Sequence, residues 1–183
     1  MNPKITDKWQ DWLERKHRGK YVIHPDNTVD IKGNVTLSGW GLEELPFQFG
    51  DITGSFDCSC NHLTSLKYCP LKTMVISCYS NKLTSLRYCP EYVAVLDCAD
   101  NKLTSLKYSP SIVGDFYCMN NNLTSLEYAP KVLDELHTSF IDKNLLDIEF
   151  GTLSYKNKWI ENVPKLLYDN GLISQEEYFI HAL

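Results

Sequence analysis

The feature that most limits what this chain can fold into is a segment that returns every twenty residues. Four copies read FDCSCNHLTSLKYCP (56–70), ISCYSNKLTSLRYCP (76–90), LDCADNKLTSLKYSP (96–110) and FYCMNNNLTSLEYAP (116–130). Cys58, Cys78, Cys98 and Cys118 fall 20 apart, as do Asn61, Asn81, Asn101 and Asn121. A degenerate copy, VTLSGWGLEELP (35–46), precedes them, with Leu37, Leu42 and Leu45 in the places of Cys58, Leu63 and Leu66. After Pro130 the pattern decays: Leu136-His137-Thr138 takes the strand slot, but Ile141 stands where the Asn would be. A short fixed period means a solenoid, because one coil is too small to bury its own apolar face and gains a core only by stacking on the next.

Within one coil, the alternation of a strand predicts Phe56 and Cys58 pointing inward and Ser55, Asp57 and Ser59 pointing to a concave face. Leu63 and Leu66 fill the interior from the turn. Asn61 and its equivalents are expected to form an amide ladder, bonding the backbone of adjacent coils where no sheet reaches. The Thr64-Ser65 hydroxyls suit the turn amides. Pro70, Pro90, Pro110 and Pro130 forbid a long helix on the return path. With about ten residues between strands, the convex side is expected to be extended or 3₁₀-like.

The repeat core, aliphatic or aromatic-x-Cys-x-x-Asn-x-Leu, resembles the LxLxxNxL signature of leucine-rich repeats. The twenty-residue period and Asn-x-Leu-Thr-Ser-Leu resemble the short bacterial type of effector proteins. They are also similar to Cys-x-x-Asn-x-Leu-Thr-Ser-Leu repeats of small phage and prophage proteins. The resemblance covers roughly residues 29–140 and implies an α/β-type solenoid: a parallel β-sheet with an extended or 3₁₀ convex side. The effector ligases of that group carry a catalytic domain with a nucleophilic Cys after the repeats. Only about 45 residues follow here and none is Cys, so that activity is not carried over.

A solenoid needs lids on its terminal coils. Residues 6–18 read as an amphipathic helix, with Thr6 as N-cap and Trp9, Trp12 and Leu13 on one face. At the other end Trp159, Val163, Leu166 and Leu167 lie at helical spacing, Asn170-Gly171 stops that helix, and residues 174–182 start another. The chain thus divides into an N-terminal helical cap (1–28), the repeat solenoid (29–140) and a C-terminal helical cap (141–183). The caps can be lids or partner-binding elements, with Trp9, Trp12 and Trp159 as anchors in the second case.

Charge and composition narrow the functional classes. Eighteen Lys+Arg against 23 Asp+Glu leave a net charge of −5, which supplies no bulk cationic field for nucleic acid or anionic membrane. Residues 134–183 hold 4 basic and 9 acidic groups, so steering there favours a basic partner. No apolar run reaches the ~20 residues of a membrane span. The first residues open no secretory segment, and seven cysteines are read as reduced thiols, which together predict a cytoplasmic protein. Cys58, Cys78, Cys98 and Cys118 form a linear column that does not converge on a tetrahedral metal, so packing is the favoured reading. Cys69 and Cys89 share a slot with Ser109 and Ala129, again a packing pattern, whereas Cys60 breaks register and reads as an exposed thiol. The five histidines show no ligand or triad spacing, and neither a nucleophile elbow nor a phosphate loop is present. No enzyme, cofactor or metal is expected.

What remains is surface. The concave track runs Asp57/Ser77/Asp97/Tyr117, then Ser59/Tyr79/Ala99/Met119, then Cys60/Ser80/Asp100/Asn120. It changes from coil to coil while the core stays fixed, as a surface that reads one protein partner would. Asp57, Ser59, Tyr79, Asp97, Asp100, Tyr117 and Met119 are the candidate binding residues, the rings and Met119 as anchors and the acids toward basic groups. A second track, Tyr68/Tyr88/Tyr108/Tyr128 beside Lys67/Arg87/Lys107/Glu127, is read as a structural ladder of half-buried rings. The expected function is a non-enzymatic protein-binding module, and the resemblance implies a small phage-like inhibitor of a host protein such as a defence factor. A carbohydrate or other small-ligand binder, and an effector whose activity lies in the flanks, are the alternatives.

Overall fold

The computed structural model describes residues 2–124, 126–132, 135–138 and 152–154 of the 183-residue chain. Helix α1 (Asp7–His17) opens it, burying Trp9, Trp12, Leu13 and His17. The Thr6 carbonyl, rather than its hydroxyl, takes the first helical N–H groups, from Trp9 and Gln10 at 2.9 Å each. Two strands that the sequence reading did not include follow. β1 (Tyr21–Ile23) pairs antiparallel with β2 (Val29–Ile31), around a turn in which Asp26 accepts the Thr28 N–H at 3.0 Å. β4 (Phe49–Ile52) adds to β2 in parallel. The N-terminal lid is therefore a helix plus a small sheet.

Beyond it the chain is a parallel-sheet solenoid. β3 (Val35–Thr36), β5 (Ser55–Asp57), β6 (Val75–Ser77), β7 (Val95–Asp97), β9 (Asp115–Tyr117), β11 (Glu135–His137) and β12 (Thr152–Ser154) form one seven-stranded sheet in chain order. The register is twenty residues per step in the repeats: Phe56 pairs with Ile76, Ile76 with Leu96, and Leu96 with Phe116. β12 lies inside the stretch assigned to the C-terminal cap, so the sheet continues past residue 140. The helices expected over 159–167 and 174–182 lie outside the described residues. Between strands the repeats run as bends, turns and extended chain, and β8 (Ile112–Val113) meets β10 (Lys131–Val132) on the return side.

The core is the stack of equivalent positions. Phe56, Ile76, Leu96, Phe116 and Leu136 form one column, and Cys58, Cys78, Cys98 and Cys118 a second, all at 0–1% exposure. Leu66, Leu86, Leu106 and Leu126 close the interior from the turn. At the N-terminal end aromatic rings replace the aliphatics: Phe47, Phe49 and Phe56 follow one another at centroid distances of 4.4 and 4.9 Å, with Trp9 at 6.1 Å from Phe47. This ring stack is what joins the helix to the first coil.

The polar counterpart is the asparagine ladder. Asn81 donates to the carbonyls of Cys58 (3.0 Å), Cys78 (3.1 Å) and Tyr79 (3.3 Å), while its oxygen accepts the Leu63 N–H at 2.9 Å. Asn101 and Asn121 repeat the pattern one and two coils on, and Asn61 starts it against Leu37 and Leu42. Each amide thus ties its own coil to the one before, satisfying backbone groups that the three-residue strands leave open.

The turn after each Leu is unusual. The N–H groups of Cys69, Cys89, Ser109 and Ala129 donate back to Leu66, Leu86, Leu106 and Leu126 at 2.8–3.0 Å. The third residue of each turn is a tyrosine at positive φ: Tyr68 72°, Tyr88 76°, Tyr108 74° and Tyr128 66°. Glycine is the residue such a turn favours, and an L side chain there costs on the order of 1 kcal/mol. The rings are also less sheltered than a half-buried ladder. Tyr68 packs partly on the core, but Tyr88, Tyr108 and Tyr128 are exposed.

Candidate functional site

The sheet brings the predicted concave residues into rows. Asp57, Ser77, Asp97, Tyr117 and His137 are direct neighbours across five strands, with Thr36 before them and Ser154 after. Asp57, Asp97 and Tyr117 are half-buried. His137 belongs to this row although the sequence reading did not include it: its ring stacks on Tyr117 at 4.1 Å, nearly parallel. The signal was present in the register, since residue 137 lies twenty positions after Tyr117.

The second row corrects one candidate. Ser59 is only 1% exposed, with its hydroxyl donating to Asp57 Oδ1 at 2.6 Å and 2.9 Å from the Ser38 hydroxyl, so it does not face a partner. The strand ends at Asp57, and strict alternation does not extend two residues further. In the same slot Ala99 is buried as well, whereas the larger Tyr79 and Met119 project, Tyr79 to 36% exposure. Side-chain size, not strand parity, decides which members of this row reach solvent. The third row, Cys60, Ser80, Asp100 and Asn120, sits at φ of 53–54° and turns the chain out of the sheet. All four are exposed, and the Asn120 amide donates to Asp100 at 3.0 Å.

The two inner acids also hold the fold. One Asp57 oxygen accepts the Ser59 N–H at 3.0 Å, and one Asp97 oxygen accepts the Ala99 N–H at 3.1 Å. Burial raises the Asp97 carboxyl above its ordinary value of 3.8, with Asp100 and Asp57 adding to the effect against the Ala99 hydrogen bond. The folded chain therefore holds this proton more tightly than the unfolded one, and ionising Asp97 costs stability. That cost is absent well below pH 3.8 and grows as pH rises through the native value. Asp97→Asn keeps an acceptor for Ala99 and removes the charge. It is expected to raise the thermal midpoint at pH 7 and to lose that advantage in acid below pH 3.8, as measured by thermal melts across pH.

The thiols divide as the repeat suggests. Cys60 is exposed and lies beside the Tyr79 hydroxyl. Cys58, Cys69, Cys78, Cys98 and Cys118 are buried, and desolvation pushes Cys118 up to about 12, as it does Cys89, so these sulfurs stay protonated. Among the described residues, no group of three or more His, Cys, Asp or Glu is arranged to hold a metal ion. Nor, among them, is any helix long and apolar enough to cross a membrane. No family model, curated protein or solved structure matches the chain.

Proposed function

We propose that this chain is a short leucine-rich-repeat protein of the bacterial and phage type that binds one protein partner on its concave face, without catalysis. The observation that carries the reading is the contrast between layers. Beneath the sheet the same Cys, Leu and Asn recur in every repeat, while above it the row changes to Asp57, Ser77, Asp97, Tyr117 and His137. A preformed sheet spends little entropy on ordering, so its variable side chains carry specificity. Tyr79, Tyr117 and Met119 supply apolar anchors, and the exposed Asp100 with the half-buried Asp57 and Asp97 favours a basic partner. Inhibition would follow from occupancy: covering a partner's surface blocks it. A host protein in the cytosol, a defence factor for example, is the target class that the repeat resemblance suggests.

The test is affinity capture from bacterial lysate by the wild-type chain beside the Tyr79→Ala/Tyr117→Ala/Met119→Ala variant. A protein retained at physiological salt by wild type and reduced at least tenfold with the variant, whose melting stays cooperative, supports the concave face. Equal retention by both proteins counts against it.

A further inference from the structure

A second surface runs along the turn edge of the solenoid, away from the strand rows. In three successive repeats the exposed Lys67, Arg87 and Lys107 place their cations 4.7, 5.1 and 5.3 Å from the ring centres of Tyr68, Tyr88 and Tyr108. Lys82 lines one shallow groove with Lys67, His62 and Thr64, and Lys102 repeats its place one coil on. Acids bound the stripe on both sides: Glu43 and Glu44 in the groove at one end, Glu127 in the cation slot of the fourth repeat at the other. The result is five cations over three coils, off the strand row that carries Asp57 and Asp97.

The tyrosines make this more than a solvated edge. Tyr88, Tyr108 and Tyr128 are 49, 52 and 57% exposed, so they fill little core, yet each occupies a left-handed position that glycine would take without strain. Strain that recurs at rings left about half in solvent points to a surface with a use.

We propose that this stripe binds an acidic α-helix of a protein partner, laid along the solenoid axis. Neighbouring coils are ~4.8 Å apart and a helix advances ~5.4 Å per turn, so carboxylates one turn apart meet one cation per coil. Over three coils the mismatch is about 1.2 Å, which long lysine side chains absorb. The ring hydroxyls and edges lie beside those carboxylates. Single-stranded nucleic acid fits less well: one face of each of three rings is already covered by a cation, and the chain's net charge is −5. The two surfaces are independent, so failure here leaves the concave-face reading standing.

The experiment is fluorescence anisotropy of the full chain with a labelled alanine-rich helical peptide bearing Glu at i, i+4, i+7 and i+11. A scrambled peptide of the same composition and a labelled twenty-nucleotide oligo-dT serve as comparisons. The striped peptide is expected to bind at least tenfold tighter than either, and Lys67→Glu/Arg87→Glu/Lys107→Glu to abolish that preference. Should the charge reversal disturb folding, Lys67→Met/Lys107→Met gives the same comparison. Tyr88→Gly/Tyr108→Gly is expected to weaken peptide binding severalfold while its melting temperature holds or rises. Undetectable binding, equal binding of the scrambled peptide, tighter binding of oligo-dT, or peptide binding untouched by the lysine or tyrosine variants each overturns the proposal.

Discussion

Asn81→Ala is expected to unfold the solenoid more easily by about 3–5 kcal/mol, read from the midpoint of urea denaturation. The size follows from what the amide leaves behind. Removing it strands the buried Leu63 N–H, which has the Asn81 oxygen as its partner at 2.9 Å, and takes a donor from the carbonyls of Cys58, Cys78 and Tyr79. All three carbonyls keep a second donor, from Asn61, Asn101 and the Cys60 N–H respectively, so the loss falls short of four independent bonds and centres on the Leu63 N–H. Asn121, which is half-buried, is expected to cost only about half as much, because water reaches the groups it leaves. Asn81→Asp separates the two halves of the amide. It retains the acceptor for Leu63 but turns an oxygen toward three carbonyls, and is expected to be at least as damaging as alanine. An alanine variant of Asn81 within 1 kcal/mol of wild type would mean that the ladder is decorative.

Phe56→Ala is the second large effect, about 3–5 kcal/mol by the same measurement. Phe56 is fully buried between Val35 and Ile76 in the sheet and packs on Phe49, 4.9 Å between ring centres. It is the point where the repeating aliphatic column meets the aromatic stack of the N-terminal lid. Truncation there opens a cavity that short strands on either side cannot collapse into. Phe56→Leu imitates the Leu96 found in the same column two coils on and is expected to cost about 1–2 kcal/mol, the part owed to shape and to the ring pair. A repeat array loses stability through its interfaces, so both variants are also expected to expose the N-terminal helix, seen as raised Trp9 and Trp12 solvent accessibility before global unfolding.

The solenoid and most of its interior were legible because periodicity binds each position to three others. Cys58, Cys78, Cys98 and Cys118 read as core from their spacing alone, and the asparagines as a ladder from their chemistry. The hairpin of β1 and β2 was not legible: Val22 and Ile23 are exposed, so that strand carries no alternation to detect. The first strand row was legible as far as Tyr117, but not the depth of the row beside it. Strands of three residues stop before parity can place Ser59, and whether that slot projects depends on the volume of what occupies it. His137 escaped because the asparagine that marks every full repeat is missing after it, although its strand keeps the register. The tyrosine turns were seen as a regular row, yet their backbone sign is invisible to pattern, since tyrosine is an improbable choice for a left-handed position.

The direction of the asparagine ladder has a consequence for how the chain is made. Every partner of the Asn81 side chain lies at or before its own coil, and the Cys58 and Cys60 N–H groups in turn wait for Ser77 and Tyr79 of the next. A growing chain therefore always ends in one open coil, and each further twenty residues both latch that coil and present the next open one. A ribosome delivers twenty residues in roughly 1–4 s, while loops and short strand pairs close in microseconds. Each coil has time to latch before its successor leaves the tunnel, so the protein can fold by zipping from its helical lid outward, in the order in which it is translated.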